Sequence, residues 1–92
     1  MTFSYNVSDR LKGKLKLLAK KDKPLALRVI KKIKEVVSRN AETIEFYKNL
    51  RAPMQDCKRA HIGNFVLTFK VFKEKNFILF DDFDHHDNVY QT

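Results

Sequence analysis

The stretch CKRAHIGNFVLTFKVFKEKNFILF, residues 57–80, holds three β-rich runs separated by two turn signals. CKRAHI (57–62) reads as a strand, Gly63 and Asn64 as a turn, and NFVLTFKVF (64–72) as a second strand. Lys73 to Asn76 form another turn, and FILF opens a third strand at Phe77. Valine, isoleucine and phenylalanine suit a pleated, half-buried surface, and a Gly-Asn pair suits a tight reversal. Connections this short join antiparallel neighbours, so the stretch predicts a three-stranded meander.

Upstream of residue 57 the period changes. Phe3, Tyr5 and Val7 alternate with Ser4 and Asn6, which predicts a strand over residues 2–7 with one buried face. Ser8 is placed to cap a helix in which Leu11, Leu15 and Leu18 share a side. Asp22, Lys23 and Pro24 interrupt it, with Pro24 suited to the first turn of a second helix that runs to about Ser38. The buried stripe expected there is Ala26, Val29, Ile30, Ile33, Val36 and Val37. Between Arg39 and Met54 only Ile44, Tyr47 and Leu50 suggest a common side. The expected architecture is α+β: one N-terminal strand, a two-helix hairpin and a three-stranded antiparallel meander, with the helices packed on one face of the sheet. At 92 residues the chain is expected to form a single domain over 1–92.

Nineteen Lys and Arg against eleven Asp and Glu leave a net charge of +8, which points to an anionic partner. The single Cys57 excludes an internal disulfide and a cysteine-built zinc site. With no apolar run near the ~18 residues that a membrane span needs, a cytoplasmic protein with no membrane partner is expected.

Strand alternation sets the candidate chemistry. In residues 57–62, Arg59 and His61 point one way with Cys57, while Lys58, Ala60 and Ile62 point the other. A guanidinium and an imidazole two residues apart on one face can reach one phosphate; a plain solvated face has the same pattern. The chain ends DDFDHHDNVYQT, with four Asp and two His in a basic protein. If the chain turns back after the third strand, His86 and Tyr90 approach Arg59 and His61. Aspartate and histidine also ligate divalent ions, but neighbours in a tail seldom converge on one ion without help from elsewhere, so no metal is expected.

The runs YKNLRAP, KRAHIGNFVLTFKV and FDDFDHHDNVY, with the opening FSYNVSDRLKGKLKLLAKKD, resemble the RelE/ParE superfamily of toxin–antitoxin toxins, and most of all archaeal RelE proteins. The resemblance implies a small ribonuclease fold, cleavage of mRNA in the ribosomal A site of the 30S subunit, and a RelB-like antitoxin that wraps the toxin. ParE-type relatives poison DNA gyrase instead, and a binding module that has lost cleavage is a third reading. Bacterial RelE carries basic residues on its second strand, where Lys58 and Arg59 stand here. Its arginine early on the third strand is replaced by Val66, and its tail arginine by acidic residues near Asp84. The pattern of His61 on a strand and His86 four residues before Tyr90 is closer to the YafQ branch, which relies on histidines. Asn64 and Phe65 occupy the place of that branch's Asp–Trp pair and are expected to contact RNA.

The chemistry implied needs no cofactor. A base takes the proton from a ribose 2′-OH, which attacks the adjacent phosphate, and an acid protonates the departing 5′-oxygen. Imidazole suits both tasks because its pKa of ~6.5 leaves both forms populated near neutrality. His86 is expected as the acid, His61 as base or phosphate-orienting group, Arg59 as charge stabiliser, and Tyr90 as a stacking or phosphate contact. Lys12, Lys16 and Lys20, within a wider lysine field on the two helices, are expected to hold RNA without base specificity, with Lys58 a further contact.

Overall fold

The computed structural model describes residues 3–52 and 54–89. Its elements are β1 (Ser4–Val7), α1 (Asp9–Lys21), α2 (Lys23–Val37), β2 (Lys58–Ile62), β3 (Phe65–Phe72), β4 (Phe77–His85) and α3 (His86–Val89). Short 3-10 turns occupy Thr43–Phe46 and Lys73–Lys75.

Local chemistry explains the helical hairpin. The Ser8 hydroxyl accepts the Leu11 N–H at 3.1 Å and starts α1. Asp22 serves both helices: its N–H donates to the Leu18 carbonyl at 2.7 Å, and its carboxylate accepts the Leu25 N–H at 3.2 Å. Pro24 sits in the first turn of α2, where a missing N–H costs nothing. Leu25, Ala26, Val29, Ile33 and Val36 are buried on α2. Ile30, expected in that stripe, is instead 41% exposed, because it lies at the stripe's solvent margin while Val29 and Ile33 fill the contact with the sheet. Ile44, Tyr47 and Leu50 are all buried, which anchors the segment between α2 and β2.

The three C-terminal strands form the antiparallel meander, and β1 adds to it in parallel with β4, in the order β1-β4-β3-β2. Leu11, Val29, Ile33 and Val36 of the helices pack with Leu67, Phe69, Ile78 and Phe80 of the sheet into one core. The final strand is longer than FILF. DDFDH continues it to His85, so most of the acidic segment is sheet rather than tail. Ile78, Phe80 and Phe83 are all buried although 80 and 83 are an odd number apart. A register shift resolves this: Phe69 pairs with Phe80 but Thr68 pairs with Asp82, leaving Asp81 as an inserted residue. The shift keeps Phe83 in the core and turns Asp82 and Asp84 to the opposite face.

Candidate active site

The face of the sheet away from the helices carries two cross-strand rows. Arg59, Thr68 and Asp82 align in one, and His61, Val66 and Asp84 in the next. Thr68 and Val66 are buried as the floor of a cavity of about 210 Å³, whose wall includes Met54, Asp82, Asp84 and Asn88. His61 stands at the edge of this face, on strand β2.

His86 lies next to it. The two imidazole centroids are 6.0 Å apart, with the rings inclined at 32°. Residues 25 apart in the chain meet because His86 N–H donates to the Asn64 carbonyl at 2.8 Å, tying the start of α3 to the β2–β3 turn. Asp84 holds the same bend from the other side. Its carboxylate accepts the His85 N–H at 2.8 Å and the Asn88 amide at 2.9 Å. Those bonds, with Asn88 the larger influence, keep Asp84 below the usual carboxylate range. His61 is shifted the other way for a base of its kind: burial, then the charge of Arg59, then His86, push it below 6.5. An imidazole so depressed is neutral at pH 7 and able to accept a proton.

The acidic end of the chain is matched by α1. Lys14 Nζ lies 2.7 Å from Asp82 and 3.6 Å from Asp84, and donates to the Phe83 carbonyl at 2.9 Å. Arg10 lies 3.5 Å from Asp82. These carboxylates therefore brace α1 against the free edge of β4 beyond β1. Among the described residues no group of three or more His, Cys, Asp or Glu side chains is placed to hold a metal ion.

The remaining expected site residues divide. Arg59 shares the face of His61, and its guanidinium also donates to the Asn49 carbonyl at 3.2 Å. Lys58 points the other way and is buried. Its ammonium donates to Glu45 at 3.1 Å, the Tyr47 carbonyl at 3.1 Å and Asn49 at 3.0 Å. That corrects its expected role as an RNA contact, since the three donors are spent inside the protein. Phe65 is half-buried and stacks on Phe83 at 5.1 Å, with its ring edge toward His85, so it is a packing residue. Asn64 contributes through its backbone carbonyl. Lys12, Lys16 and Lys20 are exposed on α1, an element that contacts α2 and β4 rather than the β2 edge bearing His61. Tyr90 lies outside the described residues. Sequence reading missed Asp84 and Asn88 as the groups that set His86; Asp84 and Asn88 are four apart, a helical-turn spacing that could have signalled it.

An α+β sheet of this order, carrying histidines at the end of the meander, defines a small toxin of the toxin–antitoxin kind. No family model matches the chain. A Methanocaldococcus jannaschii protein named as toxin RelE4 is 42% identical over 78 residues, covering 84% of this chain and 79% of that protein. The chain belongs to the RelE toxin family. Solved structures agree in fold. An arginine-to-alanine variant of Escherichia coli RelE in the free state superposes with a TM-score of 0.72 at 19% identity, over 96% of this chain and 87% of that one. E. coli YafQ gives 0.70 at 12% identity, over 96% and 98%. The Mycobacterium tuberculosis RelBE2 toxin–antitoxin complex gives 0.65 at 16% identity, over 92% and 99%. No helix among the described residues is long and apolar enough to cross a membrane.

Proposed function

We propose that this RelE-family toxin is a metal-independent endoribonuclease that cuts mRNA in the ribosomal A site and is silenced by a RelB-like antitoxin. The observation that carries the reading is the approach of His61 and His86 to 6.0 Å on the face that also holds Arg59. Two imidazoles, each with a hydrogen-bond reach of about 3 Å, can serve the two sides of one phosphodiester. His61, held neutral, takes the proton of the 2′-OH. The 2′-oxygen forms a bond to phosphorus as the bond to the 5′-oxygen breaks. Protonated His86 supplies the proton to that departing oxygen, leaving a 2′,3′-cyclic phosphate. Arg59 offsets the charge that gathers on the pentavalent phosphate, a contribution on the order of 3 kcal/mol for a well-placed donor.

The test is primer extension on mRNA bound to translating ribosomes, with excess chelator present. Codon-spaced cuts are expected from the native chain, and none where the scissile nucleotide lacks its 2′-OH. His61→Ala and His86→Ala should each slow cleavage by about 10²–10⁴-fold. Near-native cleavage by His86→Ala would remove the acid assignment. Inhibition of gyrase supercoiling without RNA cleavage would replace the whole reading with a ParE-like one.

A further inference from the structure

His61 borders a second concavity. Between α2 and the exposed edge of β2 lies a cavity of about 340 Å³, lined by Arg28, Lys31, Lys32, Glu35, His61 and the Ile62–Gly63 backbone region. Its size is at the low end of the ~300–1,000 Å³ typical of clefts for small ligands. Its charge is strongly biased. Glu35 is answered inside the protein by Lys32 at 3.2 Å and by the Tyr47 hydroxyl, and the Tyr47 bond is the main reason its carboxyl lies below the ordinary range. Arg28 and Lys31 are exposed and make no ion pair among the described residues.

Gly63 shapes the groove. Its φ of +60° belongs to the left-handed region, and a Cβ there would lie 3.5 Å and 3.8 Å from the two terminal guanidinium nitrogens of Arg28. The bare turn thus lets the Arg28 guanidinium lie against the backbone that follows His61. A planar fork with paired N–H donors suits a phosphate, and Lys31, one helical turn further along α2, adds a point charge.

We propose that this groove is a phosphate subsite for single-stranded RNA: Arg28 and Lys31 hold the backbone phosphate beside the scissile one, so that the strand passes over His61 between groove and histidine pair. The proposal rests on the ribonuclease reading for its substrate, and deepens it by assigning two residues that bind the strand without touching the reacting atoms. His61 belongs to both concavities, and one strand crossing it satisfies both.

The experiment measures binding of a 2′-O-methyl RNA oligonucleotide, which cannot be cut, by fluorescence anisotropy over a range of salt. Arg28→Gln with Lys31→Gln is expected to weaken binding about tenfold or more and to shallow the slope of log K against log salt by about 1.4, at ~0.7 per lost single-strand phosphate contact. Lys75→Gln, at the opposite end of the meander, should change affinity less than twofold. A double variant with unchanged slope overturns the groove, as does an equal loss in Lys75→Gln, which would mean a diffuse basic field. Failure of the native chain to bind the oligonucleotide overturns it too. The catalytic reading fails separately: RNA held through Arg28 and Lys31 but left uncut on ribosomes keeps the groove and removes the nuclease, whereas ribosomal cleavage indifferent to the double variant does the reverse.

Discussion

Replacing Lys58 by methionine separates the two roles open to a lysine on β2. Methionine keeps most of the apolar stem and removes the ammonium. Three hydrogen bonds go with it. The partner Glu45 is half exposed and retains Lys73 at 2.6 Å, so losing that ion pair costs about 0–1 kcal/mol. Asn49 still donates its amide to the Gln55 carbonyl and is exposed enough to take water. The Tyr47 carbonyl is different: its bond to Lys58 is buried, and an orphaned buried acceptor costs about 1–3 kcal/mol. A total near 2 kcal/mol is expected, against an overall stability of about 5–14 kcal/mol for a chain this long. At roughly 4–8 °C per kcal/mol, the melting midpoint should fall by about 8–16 °C. Thermal unfolding followed by circular dichroism measures this, with RNA affinity read below the transition. A melting point within about 3 °C of the native chain, joined to a tenfold loss of RNA affinity, would refute the structural assignment and return Lys58 to the RNA surface.

Other consequences follow from the same geometry. Because His61 is depressed below 6.5 by burial and by Arg59, the acidic limb of kcat/KM for cleavage should lie below pH 6.5; Arg59→Gln removes one cause and should move that limb upward, and an unmoved limb would break the assignment of His61 as base. Asp84→Ala releases the bend that seats His86, and a loss of about 10²-fold in kcat with the melting transition retained is expected; unchanged kcat would show that the Asn64 tie suffices. Ser8→Ala removes the cap of α1 and should cost about 1–2 kcal/mol in urea unfolding, with no change below about 0.5 kcal/mol tolerated by the capping argument. Tyr47→Phe takes away the bond that lowers Glu35. That bond's contribution is full above pH ~4.5 and is lost as pH falls through the lowered folded value, so the variant's stability should be less sensitive to acid than the native chain's.

Much of the chain was legible from local rules. Ser8, Asp22 and Pro24 mark helix ends through hydrogen bonds made within three or four residues, and the period of Leu11, Val29, Ile33 and Val36 shows which sides are buried. The meander followed from turns too short for any other connection, and alternation along β2 put Arg59 and His61 on one face away from Lys58. These are properties of neighbours, and neighbours are adjacent in the text.

Tertiary structure decided the rest. That β1 joins β4 in parallel depends on a pairing across more than seventy residues, for which no local pattern speaks. The inserted Asp81 shifts the face of every later residue in β4, so reading the acidic segment as a tail missed that its carboxylates meet Arg10 and Lys14 of α1. The burial of Lys58 required the loop that carries Tyr47 and Asn49 to fold over it. The meeting of His61 with His86 rests on one backbone bond to Asn64 and on the grip of Asp84. Which residue types could do chemistry was a matter of composition and alternation; which of them stand within reach of one another was a matter of register, because a single inserted residue changes the face of every side chain after it.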